Sequence, residues 1–110
     1  MATAYKVLAQ SAPSATTETT LYTVPAGTSA VVSTMAIANQ AGTSGTYRIA
    51  VRPAADASTT QKHYIVYGAT VGASDSIMLT LGVTLAAGDL IRVYASSANM
   101  SFSAFGSELS

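Results

Sequence analysis

The sequence predicts an all-β fold: an antiparallel β-sandwich, jelly-roll-like, built from about eight short strands. Three observations carry that expectation. Runs rich in Val, Ile, Thr and Tyr recur roughly every 8 to 12 residues, the spacing of a sandwich or barrel. Clusters of Gly, Pro, Asn and Ser separate the runs. No window of about 11 residues keeps a 3.6-residue apolar period, so helix is expected to be scarce. At 110 residues the chain has room for one core, and residues 1–110 are expected to form a single domain.

The strands are expected near residues 3–9, 20–24, 29–38, 46–52, 61–67, 75–81, 90–96 and 100–106. After the first, Ser11 to Thr19 has one proline and no apolar period, and is expected to be a loop or an extended arm able to reach a neighbour. VPAGT then forms a turn in which Pro25 fixes φ and Gly27 takes a positive φ. In the third strand, SAVVSTMAIAN, period-2 alternation puts Val31, Met35 and Ile37 on one face and Val32, Ala36 and Ala38 on the other. Both faces are dry. Such a strand lies beneath a covering layer or in a subunit contact, and with no helix to supply the layer the contact is favoured.

NQAGTSG connects to TYRIAVR, where Tyr47, Ile49 and Val51 share the inner face and Arg48, Ala50 and Arg52 the outer. HYIVYG is again apolar on both sides, with His63, Ile65 and Tyr67 opposite Tyr64 and Val66. SIMLTLG turns Ile77, Leu79 and Leu81 inward. LAAGD reads as a type I turn with Gly88 as its fourth member. The seventh strand buries Ile91, Val93 and Ala95 and offers Arg92 and Tyr94 outward, and the eighth buries Met100, Phe102 and Ala104.

Charge is scarce. Five basic and five acidic residues cancel, so the chain carries no electrostatic footprint for nucleic acid or an anionic membrane. Only 9 % of residues are charged, against about 25 % in ordinary soluble domains. A neutral surface of Ala, Ser and Thr suits close packing in a homo-oligomer better than life as a free monomer. No stretch approaches the roughly 20 apolar residues of a membrane span. MATAYKVLAQ has no basic segment followed by an apolar run, so no signal peptide is expected and synthesis is placed in the cytoplasm of the producing cell.

No constellation announces catalysis, and no catalytic residue, cofactor or metal is expected. The chain has no cysteine and one histidine, His63, so a transition-metal site would need carboxylates from scattered loops. His63 also lacks a marked nucleophile such as a GxSxG serine, and reads as a strand histidine at an edge or contact. Asp56, Asp75 and Asp89 look like turn formers. DASTT and SDS are too sparse for a calcium loop, and AGTSG lacks the lysine and helix of a phosphate loop. Asp89 and Arg92, three apart on one strand, face opposite ways and form no acid–base pair. Arg48 and Arg52 share a face and need acids opposite them, for which Asp56 and Glu108 are candidates. Tyr22, Tyr64, Tyr67 and Tyr94 are the candidate platform of a different kind of protein, a carbohydrate-binding sandwich that recognises a host surface.

The series LYTVPAGTSAVVST, YRIAVRPA, HYIVY and LTLGVTLAAGDLIRVYASSANMSFSAFGSELS resembles a group of small virion structural proteins of tailed bacteriophages, including phages of aquatic bacteria. The resemblance runs from Tyr5 to Ser110. It implies an all-β, non-enzymatic virion component whose neighbours are copies of itself and the major capsid protein or tail proteins. Within a virion the expected role is capsid decoration (cement) as a homo-oligomer, with a trimer favoured; the alternative is a tail, neck or baseplate component that forms a ring or attaches fibres. The residues expected in subunit contacts are Val32, Ala36, Ala38, Tyr64, Val66, Arg92 and Tyr94.

Overall fold

The computed structural model describes residues 3–110, which form eight strands and a single 3₁₀ turn at Gln61–His63. In chain order the strands are β1 (Thr3–Ser11), β2 (Thr19–Thr23), β3 (Ser29–Asn39), β4 (Gly45–Arg52), β5 (Tyr64–Val71), β6 (Ser76–Leu85), β7 (Leu90–Ala95) and β8 (Met100–Leu109). They build two four-stranded sheets, β1-β8-β3-β6 and β2-β7-β4-β5. Every pairing is antiparallel. Only the β4–β5 connection stays within one sheet, while all others cross to the opposite one, which is the jelly-roll winding expected from the sequence.

The inner faces meet as the alternation predicts. Tyr47 and Ile49 of β4, Ile91, Val93 and Ala95 of β7, and Met100, Phe102 and Ala104 of β8 are all buried in one cluster. The rings of Tyr47 and Phe102 meet edge-on across the two sheets, centroids 6.2 Å apart, a geometry that adds about 0.5–1.5 kcal/mol beyond the area buried. Val51, Ile77, Leu79 and Leu81 also pack against this cluster but are only half-buried. The last three belong to β6, one of the two edge strands of its sheet. β5, the corresponding edge of the other sheet, is displaced in register twice along its pairing with β4.

The third strand departs from simple alternation. Between Val32 and Thr34 its register shifts against both β8 and β6. A bulge adds one residue and reverses the face of everything beyond it. Val32 therefore joins Met35 and Ile37 in the core at 0 % exposure, while Val31 is turned out. The expectation that Val31 shares a face with Met35 and Ile37, and that Val32 serves a subunit contact, is corrected accordingly. β1 carries a matching shift between Val7 and Ala9. The bulge brings β3 so close to β8 that a Cβ on Gly106 would overlap the Val31 carbonyl oxygen and lie 3.0 Å from its carbon. Only glycine fits there.

Three loop readings also change. Residues 11–19 are not a free arm: Pro13 is buried, the Thr16 amide donates to the Ala95 carbonyl at 2.8 Å, and Glu18 is bound on three sides, so the segment is stitched across its own sandwich. In LAAGD the Asp89 amide closes the turn onto the Ala86 carbonyl at 3.0 Å, so Gly88 is the third member, with φ +86°. That is a type II requirement, not type I. Finally, His63 ends the 3₁₀ turn rather than lying in β5. VPAGT forms as read, with the Thr28 amide on the Pro25 carbonyl and Gly27 at φ +74°.

Candidate functional site

The outer face of the second sheet gathers the chain's arginines. β4 pairs with β7 and β5 so that Arg48 lies between Tyr94 and Tyr67, and Ala50 lies between Arg92 and Tyr64. The Arg48 guanidinium carbon is 4.3 Å from the Tyr67 ring centroid and 4.2 Å from that of Tyr94, one ring from each neighbouring strand. Arginine suits this position because its planar cation is weakly hydrated and stacks on aromatic faces. Tyr64 and Tyr67 meet edge to face at 4.9 Å. Ala50 is 0 % exposed although it points away from the main core. The stems and rings on either side of it make a thin second layer over the sheet.

Glu18, delivered by the crossing segment, anchors this layer. Its carboxylate accepts from Arg92 Nε at 2.8 Å, from the Thr59 hydroxyl at 2.8 Å and from the Tyr64 hydroxyl at 3.2 Å. Burial by itself raises the Glu18 pKa, but the bonds from Arg92 and Thr59 and the Arg92 charge outweigh it and hold the acid below its ordinary value. Tyr64 is pushed the other way, by burial and then by the Glu18 charge, so its hydroxyl stays a donor. Arg52 donates Nη1 to Thr59 at 3.2 Å, and its Nε is buried without an acceptor among the described residues. The acids expected opposite Arg48 and Arg52 are elsewhere: Asp56 pairs with Lys62 and His63, and Glu108 pairs with Lys6 at 2.6 Å and receives the Tyr22 hydroxyl. Charge counting was the available signal, because Glu18 is the only carboxylate before Asp56 in the sequence.

His63 has the outline of a catalytic base without its freedom. Nε2 lies 2.7 Å from Asp56 Oδ2, and the Thr60 hydroxyl is 3.4 Å from Nδ1. However, Nδ1 already accepts the Thr60 backbone amide at 2.8 Å, so it has no lone pair with which to take the hydroxyl proton. The ring is also 4 % exposed. The pair ties the loop over 53–63 to the start of β5, and the hydrogen bond from His63 is the main cause of the lowered Asp56 pKa. Asp89 likewise serves structure, its two carboxylate oxygens accepting the Ala54 and Ala86 amides at 3.0 and 2.8 Å.

The outer face of the first sheet is of another kind. The only formal charges on its four strands are Lys6 and Glu108; Glu108 accepts the Tyr22 hydroxyl of the second sheet and so lies on the inner side, and the half-exposed Lys6 reaches it there. What faces outward is Ser, Thr and Ala, from Ala36 and Ala38 to Ser101 and Ser103, with Tyr5, Val7, Val31 and Met78 standing exposed among them.

The seven expected contact residues therefore do not form one surface. Val32 is core. Val66 pairs with Ile49 and packs inward, whereas Tyr64 pairs with Ala50 and lies outward with Tyr67. The two register shifts of β5 break the alternation that placed Tyr64 with Val66 and opposite Tyr67. Ala36 and Ala38 belong to the first sheet's outer face, and Tyr64, Arg92 and Tyr94 to the second's. Tyr22 is buried against Glu108 and leaves the tyrosine platform, while Tyr64, Tyr67 and Tyr94 come together in it. Comparison with known proteins finds no matching family model and no matching curated protein.

Proposed function

We propose that the protein is a non-enzymatic structural subunit of a tailed-bacteriophage virion, a decoration (cement) protein that acts as a homo-oligomer, with a trimer as the expected form, seated on the major capsid protein. The observation that carries the assembly reading is the outer face of the first sheet. Four strands of 9 to 11 residues present no charge there. Covering small hydroxyl and methyl side chains requires no desolvation of ions and freezes few rotamers. The exposed Tyr5, Val7 and Met78 supply apolar area to such a contact. A jelly roll serves many activities, so the fold adds only compatibility. The assignment to a virion rests on the sequence resemblance and is tested separately from assembly.

Sedimentation of the purified protein checks assembly, with an oligomer expected at micromolar concentration and a monomer counting against it. Virions lacking the protein are expected to lose head stability on heating while keeping normal tails. Recovery of the protein only in tail fractions, after heads and tails are separated, overturns decoration in favour of the tail, neck or baseplate role.

A further inference from the structure

We infer a second binding surface that does not depend on the assembly reading: the Tyr94–Arg48–Tyr67 row of the second sheet, with the depression beside it, is a site for a carboxylate-bearing saccharide. Three arginines on this face meet one carboxylate, and Glu18 is already engaged by Arg92, Thr59 and Tyr64. Arg48 has no carboxylate partner among the described residues. Its guanidinium carbon is fixed between the Tyr67 and Tyr94 rings, 4.3 and 4.2 Å from their centroids. A planar donor set held in this way is preorganised for a carboxylate.

Beside the row, Thr59, Thr60, Gln61, Tyr64 and Tyr67 line an open depression of about 650 Å³, within the roughly 300–1,000 Å³ typical of small-ligand sites. Its lining offers hydroxyls, an amide and phenol rings, the partners that sugar hydroxyls and C–H faces need. Tyr67 is 64 % exposed, so ring surface remains available to a ligand. A nucleic acid is disfavoured, because Arg48 and Arg52 are the only cations of this face without a carboxylate and the chain is neutral. An acidic protein segment satisfies Arg48 but not the hydroxyl-rich depression.

The test is titration of the whole protein with a galacturonate hexasaccharide, followed by amide NMR shifts and calorimetry, with maltohexaose and hexaglutamate in parallel. The galacturonate oligomer is expected to shift the amides of Arg48, Gln61, Tyr67 and Tyr94, with maltohexaose at least tenfold weaker. Loss of a charge-assisted bond in Arg48→Gln is expected to weaken binding by about tenfold or more. Tyr67→Ala, at a 64 % exposed position, is expected to stay folded and to weaken binding too, and carries the test if Arg48→Gln does not fold. The inference is overturned if the galacturonate oligomer leaves these amides unmoved, if neither variant alters its affinity, or if hexaglutamate binds as tightly, which would make the row a protein-docking site.

Discussion

The first sheet turns outward a layer of Ser, Thr and Ala set with Tyr5, Val7 and Met78, while the second turns outward three arginines, one carboxylate and three tyrosines. Their inner faces are alike and share one core. The difference lies in the outward half of each strand's alternation and in Glu18 and Thr59, which loops bring to the second face. On the first face the bonds are between neutral groups, Gln10 to the Ser103 hydroxyl and Ser33 to the Phe105 carbonyl, each at 3.2 Å, so a partner of matching shape can cover it without parting an ion pair. On the second, Glu18, Arg92, Thr59 and Tyr64 already satisfy one another, and a newcomer must bring a charge for Arg48. A chain with so few ions has concentrated them where they hold its own loops, and the uncharged face is the consequence.

The largest effect is expected from breaking the first sheet itself. Gly106→Ala forces a methyl into the Val31 carbonyl at the bulge, and a loss of at least about 3 kcal/mol is expected. Urea unfolding measures it; an unchanged midpoint would mean that β3 and β8 part there without cost. Next is Asp89→Ala, in the connection between β6 and β7, which removes the acceptor from the Ala54 and Ala86 amides. The expected cost is about 2 kcal/mol, reduced wherever water replaces the carboxylate.

Glu18→Gln sharpens the account of the second face. It leaves Arg92 without its anion, and about 1 kcal/mol is expected, since the pair is partly exposed. Acid should act in the same direction. Glu18, Glu108 and Asp56 are all held below their ordinary values in the folded chain, Glu18 by Arg92 and Thr59 against burial, Glu108 by Lys6 and Tyr22, and Asp56 chiefly by His63. The unfolded chain then binds more protons, so this stability is complete above the glutamates' ordinary 4.5 and declines as pH falls through the lower folded values. Urea midpoints at about pH 7 and pH 3 give the difference.

The smallest effect on the fold, and the most informative for assembly, is expected from Met78→Arg. Met78 is 63 % exposed, so stability should change by no more than about 0.5 kcal/mol. Sedimentation should nevertheless show dissociation, while Thr70→Arg on the second sheet should leave the oligomer intact. Equal behaviour of the two variants would erase the distinction between the faces.

Strand number, order along the chain and most inward residues were legible because period-2 alternation is a local property. TYRIAVR and LIRVYA carry it without interruption, and both strands pair in regular register with each other. Bulges were not legible, since they arise from how one strand fits its neighbours. The Ser33 and Thr34 pair, two polar residues between Val32 and Met35, was the only local sign that parity changes in β3. Gly68 marks one of the two shifts in β5, and its φ of +80° is the backbone reason. The arginine face was hidden for another reason: Glu18 lies between β1 and β2, Thr59 in the loop between β4 and β5, and Arg92 on β7, so they meet only once the sandwich is assembled.

The position of β8 has a consequence for how the molecule comes into being. The last of the eight strands occupies the middle of the first sheet, between β1 and β3. A ribosome that has released residues 1–99 has therefore supplied β1 with no hydrogen-bonding neighbour, while the second sheet is already complete in sequence. Pairing of Thr3 with Leu109 spans nearly the whole chain, and such distant contacts make folding slow. The nascent chain should thus hold its uncharged half open until β8 has been made, and the interval before β8 arrives is when a stalled or truncated product is most prone to aggregate.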